Sequence, residues 1–475
     1  MIRLRIAGAA CATALLLASC NDHNGNSGSP DLGTPAPSGT TIYAFGGTGS
    51  PAQDGAEPKG TLTMVTVSGA AVLFGRTAIG GTNGCGTVFS INPDGANYNV
   101  QYRFGGSDGC DPRHDAMTLD PNDGKLYATT QGVNQTIPNP PNTYGNWGQV
   151  FSFTPATSIP YPVSAVHTFA NPSPTSAPFD GAEQHSSFSI DPTSGLLYGQ
   201  SAAGGAGNDG MLYAVSTDGT KFIDLYDFKK DNGTDPHGRI VLVDNVLYGI
   251  ARSNGLLSTD SNGSKNYGFG SVYAYMLTSP LANGPATVLH VFAGAPGDGA
   301  FSDHGYLTPV TVGGKTILFG MTQCGGSGPK NANCKGSGDG SGVIFQIDPS
   351  ATPGSSAAFN LAYSFQATNS TDGALPYGSL MYDGTYLYGT TSAGGTHGNG
   401  TVFRFAPVAM GQTVTPTLLC QFGANANDGI KPIDNVIKVG NTLYGMTVYG
   451  GAPGPSPDNP AITGNGTVFA VALPN

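Results

Sequence analysis

Leu387-Tyr388-Gly389-Thr390-Thr391, a glycine-rich loop, Gly400-Thr401-Val402-Phe403, the run Leu419 to Phe422 and then Asp428-Gly429 make up one sequence unit. The chain writes this unit seven times. Its Leu-aromatic-Gly element recurs with variations from Leu73, Leu126, Leu197, Leu247, Leu318, Leu387 and Leu443. A Gly-x-(Val/Leu/Ile)-aromatic element answers it from Gly86, Gly148, Gly210, Gly270, Gly342, Gly400 and Gly466. A period of about 60 residues marks an array of one supersecondary unit, and that decides the fold before any single residue does.

Each unit holds four short strand-like stretches separated by Gly, Asn, Asp and Pro. In the sixth they are Gly378 to Tyr382, Tyr386 to Thr391, Gly400 to Phe405 and Leu418 to Phe422. Short alternating strands with turn signals between them predict an all-β chain. Four strands in each of seven units predict a seven-bladed β-propeller built of four-stranded blades. The ends sharpen this expectation. A lone strand, Thr41 to Phe45, precedes the first unit, and the last unit stops after its third strand, Thr467 to Val471. Pairing the N-terminal strand with the last blade closes the ring and removes an exposed edge. A monomer is expected.

Residues 1–19 read as a signal peptide. Arg3 and Arg5 precede an uncharged apolar run, Ile6 to Leu17, too short to span a bilayer. Leu17-Ala18-Ser19-Cys20 resembles the lipobox of bacterial lipoproteins, which implies lipidation of Cys20 and a membrane anchor at the bacterial cell envelope, in the outer membrane or at the cell surface. Residues 20–41 are rich in Asn, Gly, Ser and Pro and read as the lipidated cysteine and a flexible tether. The propeller is then residues 42–475. Without Arg3 and Arg5 the chain carries 17 basic against 30 acidic groups, a net charge of −13. Nucleic acid is not an expected partner, because phosphate binding needs a basic footprint.

Five cysteines remain outside the signal and the lipidation site. Cys85 ends the loop between the second and third strands of the first unit, and Cys110 follows the fourth strand of that unit. Antiparallel third and fourth strands bring those ends together, so a Cys85–Cys110 disulfide is expected. Cys324 and Cys334 share one long loop and form the second expected pair; Cys420 is left as a buried thiol.

The pattern Leu-Tyr-Gly-Thr-Thr, Gly-Gly, Gly-Thr-Val-Phe, aromatic-x-Phe and Asp-Gly-Ala resembles the GloVer tandem repeat of bacterial surface proteins. The resemblance covers roughly residues 42–475 and is best in units one, six and seven. Unit two departs at Ala128 and Gln149, and unit three has Met211-Leu212-Tyr213 in place of Thr-Val-Phe. It implies architecture and surface location; no activity comes with it.

Chemistry has few places to sit. No Gly-x-Ser-x-Gly elbow, His-Glu-x-x-His pair or phosphate loop is present. The recurrent Asp-Gly pairs read as turns, with Asp bonding the local backbone and Gly at positive φ. The rival reading, a ring of calcium-binding carboxylates, would spread its oxygens too far apart.

A less regular signal lies at the entrance to each innermost strand. Units two to five carry His114, His185, His237 and His304 there, while Lys59, Tyr377 and Ile433 hold the place in units one, six and seven. In a propeller these side chains surround one mouth of the channel. Gathered imidazoles could bind a divalent metal or exchange protons near neutral pH, with Asp111, Asp115, Glu183, Asp235 and Asp303 nearby to orient them. Equally, His could just fill a semi-polar position. Tyr144 and Trp147, in one of four long loop insertions, suit stacking on a sugar face and also suit ordinary loop packing.

The leading expectation is a non-enzymatic, lipid-anchored propeller that binds a glycan or protein through its loop-rich face, with no obligate cofactor. A metal-dependent envelope hydrolase or lyase at the histidine-lined mouth is the first alternative. A purely structural surface component is the second.

Overall fold

A computed structural model describes residues 39–46, 53–132, 147–155, 163–169, 181–229, 233–253, 256–259, 265–302, 304–330, 334, 339–367, 372–425, 427–451 and 463–474. Every regular element among them is a β-strand.

The strands form seven antiparallel blades. In the first, Thr63–Val67, Ala70–Thr77, Thr87–Ile91 and Asn99–Arg103 run in sequence order from the inner to the outer edge. The next five repeat that order, the fourth with an extra short strand, Thr234–Pro236, beside its second. The seventh is assembled from both ends of the chain: Ile437–Val439, Thr442–Thr447, Thr467–Ala472 and then Thr40–Ala44. Thr41 pairs with Phe469 and Tyr43 with Val468, so the N-terminal strand supplies the outermost position and closes the ring.

Apolar contacts between blades make the closure continuous. Seven hydrophobic clusters lie one at each blade junction. The cluster of Phe74, Phe104, Leu126 and Phe151 joins blades one and two, and that of Phe45, Leu62, Leu73, Phe89 and Val468 joins blades seven and one. Within each cluster a Phe just beyond an outermost strand meets, edge to face, the ring ending the Gly-x-Val-aromatic element of the next blade. Phe45 meets Phe89 and Phe104 meets Phe151; Phe169 and Phe228 meet Tyr213 and Tyr273; the series ends with Phe292–Phe345, Phe365–Phe403 and Phe422–Phe469. The centroid separations run from 4.9 to 5.5 Å. Each such pair contributes about 0.5–1.5 kcal/mol beyond its buried area.

The same ring explains the Leu-aromatic-Gly element. A Cβ at Gly320 would lie 2.3 Å from the Phe345 ring, and one at Gly445 would lie 2.4 Å from Phe469. The glycine leaves room for the aromatic beside it. The glycine of the other element works between blades: Gly400 sits at φ 103°, and a Cβ there would lie 2.7 Å from the Pro432 ring of the next blade.

Both expected disulfides are present. Cys85 and Cys110 have Cα atoms 4.4 Å apart, and Cys324 and Cys334 have theirs 5.7 Å apart; Cys420 is a buried thiol outside both disulfides. The Asp-Gly carboxylates close turns. Asp108 accepts the Gly105 N–H at 2.7 Å and the Tyr102 hydroxyl, and Asp372 accepts the Gln366 N–H at 2.7 Å and the Tyr363 hydroxyl at 3.0 Å.

Candidate functional site

Two residues after each Asp-Gly (Asn-Gly in the fourth blade) the backbone turns left-handed. Glu57, Asp111, Glu183, Asp235, Phe301, Leu375 and Lys431 have φ between 53° and 61°, one in every blade. Non-glycine residues take this conformation seldom, so a fixed local bonding pattern must hold it. Among the described residues, in six of the seven, all but Glu183, the residue's N–H donates backward across the blade junction, as Asp111 does to the Cys85 carbonyl at 2.9 Å, Asp235 to Asp209 at 3.0 Å and Lys431 to Asn399 at 2.9 Å. Its carbonyl accepts from its own blade, as Asp111 does from Gln131 and Lys431 from Val448. The chain is thus pinned at each junction, and the next few residues project toward the ring axis.

In the first four blades the left-handed residue is an acid, and a spacer and a base come after it: Glu57-Pro58-Lys59, Asp111-Pro112-Arg113, Glu183-Gln184-His185 and Asp235-Pro236-His237. Lys59 Nζ lies 2.7 Å from Glu57, Arg113 pairs with Asp111, and His237 Nε2 lies 2.7 Å from Asp235, whose other oxygen binds Arg252 at 3.0 Å. Glu57 and Asp111 are fully buried behind their partners. In these three pairs the carboxylate aims a base inward.

These bases meet in one cavity of about 310 Å³, lined by Lys59, Arg113, His114, His185, His237, Arg252, His304, Tyr377, Lys431, Ile433, Val448 and Tyr449. All seven blades contribute, which puts the cavity on the ring axis, at the channel mouth. The four histidines expected from the sequence do converge. They occupy two repeat positions and not one: His185 and His237 follow the left-handed residue by two, His114 and His304 follow it by three.

The rings stack accordingly. His114 and His304 have centroids 3.6 Å apart and planes within 11°, and His185 and His237 are 4.2 Å apart within 19°. His237 and His304 link the pairs at 5.4 Å, and Tyr377 extends the stack 6.2 Å beyond His304.

Burial first, then the surrounding bases, hold two of the imidazoles neutral. His114 is pushed well below the usual histidine range by burial, then by His304, Arg113, His185 and Lys59. His185 is pushed down by burial, His237, His304 and Arg113, against the opposing pull of Asp235. Among the described residues the Nδ1 atoms of His114 and His185 have no hydrogen-bond partner, while His185 Nε2 lies 3.0 Å from the Gln131 amide. Burial pushes the Glu183 carboxyl up, and Asp235 adds to the shift.

Beneath the mouth lies a second polar layer. Fully buried Arg76 donates to the carbonyls of His114 at 2.6 Å, Asp115 at 2.9 Å and Thr129 at 3.1 Å. Those bonds support His114 and Asp115, which are both left-handed at φ 63° and 62°. Burial lowers the Arg76 pKa to about 10. The Asp115 N–H donates to Asp434 at 2.8 Å, and burial, then Asp115, lifts the Asp434 carboxyl to about 6.

Of the other residues singled out in the sequence, Lys59 and Tyr377 line the cavity. Trp147 does not: its indole packs against the core between blades two and three, with Tyr127 and Tyr213. Asp115 lies below the mouth and not at it. Cys20, Tyr144 and Asp303, with most of the four long insertions, fall outside the described residues. Sequence reasoning missed Arg113, Arg252, Lys431 and Tyr449. The acid-Pro-base tripeptides were the available signal for Arg113.

Imidazoles that ligate one metal ion must converge their in-plane lone pairs on it. Face-to-face stacking sets those lone pairs side by side. Among the described residues no group of three or more His, Cys, Asp or Glu side chains is placed to hold a metal ion.

The fold and site define a closed seven-bladed propeller with a basic, histidine-lined channel mouth. No protein-family model and no curated protein matches the sequence. Among solved structures, an ulvan-cleaving polysaccharide lyase is 9% identical with a TM-score of 0.49, covering 92% of this chain and 96% of its own. A proposed 6-phosphogluconolactonase of Bacteroides uniformis is 14% identical with a TM-score of 0.44, covering 79% and 88%. The propeller domain of the Trilobed protease of Pyrococcus furiosus is 8% identical with a TM-score of 0.39, covering 88% and 97%. Likenesses at this level transfer no activity and no residue to this chain.

Proposed function

We propose that this chain is a lipid-anchored propeller of the bacterial envelope that binds a ligand, a glycan or a protein segment, in its channel mouth. The carrying observation is the convergence of His114, His185, His237 and His304 with Lys59, Arg113, Arg252 and Lys431 on one concave, axial cavity. Loops held by a rigid scaffold are where binding sites usually lie. Neutral imidazoles offer one donor and one acceptor each, which suits hydroxyl and amide partners.

Anchoring through Cys20 and kinship with the GloVer repeat belong to the same reading. They rest on Leu17-Ala18-Ser19-Cys20 and on the repeated Leu-Tyr-Gly and Gly-Thr-Val-Phe elements. A glycan array and a surface-protein pull-down with the full chain, each repeated with His185→Ala and His237→Ala, test the binding. Ligand capture by the wild type that both variants lose supports it. Capture that neither variant alters rejects the mouth as the site.

A metal-dependent hydrolase or lyase at the same mouth is the second reading, favoured by the gathering of four imidazoles in one cavity; it requires the stacked rings to turn so that their lone pairs converge on one ion. Stoichiometric transition metal in the purified protein, lost on substitution of the histidines, would establish it over the first.

A further inference from the structure

We infer that the ligand of the mouth is an acidic saccharide, whose carboxylate or sulfate group lies between Lys59 and Lys431. This rests on the reading of the mouth as a ligand site and narrows it to one ligand class. In a chain with 19 basic and 30 acidic residues, the cavity presents four permanent cations, and among the described residues no carboxylate lines it. Glu57 and Asp111 stand behind Lys59 and Arg113, and Asp235 is engaged by His237 and Arg252.

Lys431 is different. Among the described residues it makes no ion pair; its ammonium lies 5.6 Å from the centre of the Tyr449 ring, close enough to Lys59 for the two to repel. Two ammonium groups facing one cavity, with a single buried carboxylate behind them, leave an excess of positive charge that an anion would neutralise. Carboxylates and sulfates gain charge-assisted hydrogen bonds there.

The rest of the cavity decides between a sugar and an acidic peptide. Each neutral imidazole offers one donor and one acceptor, which matches sugar hydroxyls on both counts, whereas a run of acceptor-only carboxylates leaves the acceptor nitrogens unused. A volume of about 310 Å³ is at the small end for ligand pockets and suits one pyranose ring.

Calorimetric titration of the full chain tests this with four probes: an oligogalacturonate, a sulfated oligosaccharide, the carboxyl-reduced oligogalacturonate and polyglutamate. The expected result is binding of one or both acidic sugars. Binding should weaken about tenfold in Lys431→Gln, as befits loss of a charge-assisted bond, with the melting temperature unchanged; Lys59→Gln should weaken it likewise, and because it leaves buried Glu57 without its partner it should also lower the melting temperature. The reduced sugar should bind at least about tenfold more weakly than its acidic parent. Equal binding of acidic and reduced sugars, abolished by His185→Ala, leaves the mouth a ligand site but overturns its acidic preference. Polyglutamate binding as tightly as the sugars overturns the saccharide assignment, and failure of both acidic sugars to bind overturns the inference outright.

Discussion

His114 and His304 come from the second and fifth blades, yet their imidazoles stack with centroids 3.6 Å apart. Two protonated rings would repel strongly at this distance, so the arrangement requires neutrality. Burial and the neighbouring bases supply it for His114, and His185 is depressed in the same way.

Stability should therefore fall with acidification. Unfolded histidine titrates near about 6.5, and His114 and His185 titrate lower when folded, so the unfolded chain takes up protons first. Their contribution is intact above about 6.5 and is lost as pH drops below it. Asp434 acts in the opposite sense. Its carboxyl, raised to about 6, takes a proton in the folded chain before the unfolded one does, which relieves a penalty as pH falls below that value. Urea midpoints between about pH 8 and 5 should fall for the wild type and fall less steeply for the double variant His114→Gln, His185→Gln. Identical slopes would show that the histidines do not govern the effect.

Arg76 is a positioning residue for the mouth. Arg76→Met would leave three carbonyls without their donor and the Asp115–Asp434 pair without one of its cations. A loss of about 3 kcal/mol or more is expected, because the groups left behind are buried. A ligand that binds the wild-type mouth should also bind the surviving folded fraction more weakly, since His114 loses its support. Unchanged stability would mean that the two aspartates are protonated and do not need the cation.

Ring closure depends on Phe45, which the N-terminal strand carries against Phe89. Phe45→Ala should cost about 3–5 kcal/mol, the usual range for a buried phenylalanine, measured by thermal or denaturant unfolding. A cost below about 1 kcal/mol would indicate that the other six junctions hold the ring without it.

Gly445→Ala drives a methyl group into the Phe469 ring and should cost about 1–3 kcal/mol. The chain shows how the position can be relaxed: Ala128 occupies it in blade two, where it packs with Phe151 in the cluster between blades one and two. A fully neutral Gly445→Ala would show that blade seven adjusts as blade two has.

The scaffold was legible because its causes are local and repeated. Gly320 beside Phe345 and Gly445 beside Phe469 stand for a mark left on six of the seven units, and the misplaced strand Thr40–Ala44 announces how the ring closes. The mouth was legible in part. Spacing from Asp-Gly located His185, His237, Lys59 and Tyr377, but not that His114 and His304 lie one residue further on and stack across the axis. Arg252 and Lys431 were missed for a different reason. Arg252 lies near the end of the second strand of its blade and Lys431 is itself the left-handed residue of its own, so neither shares a repeat position with the histidines, and only the closed ring brings them together. Trp147 drew attention together with Tyr144 as an aromatic of a long insertion, and its place against Tyr127 and Tyr213 depends on packing that composition does not encode.

The most direct test of the mouth as the functional site is to titrate the full chain with a captured ligand while recording its imidazole NMR signals. His167 and His290 serve as internal controls, since they stack on Phe222 and Phe359 in outermost strands. The expected result is that the signals of His114, His185, His237 and His304 shift together on binding while those of His167 and His290 stay in place. Saturating binding that leaves the four mouth signals unmoved would contradict it.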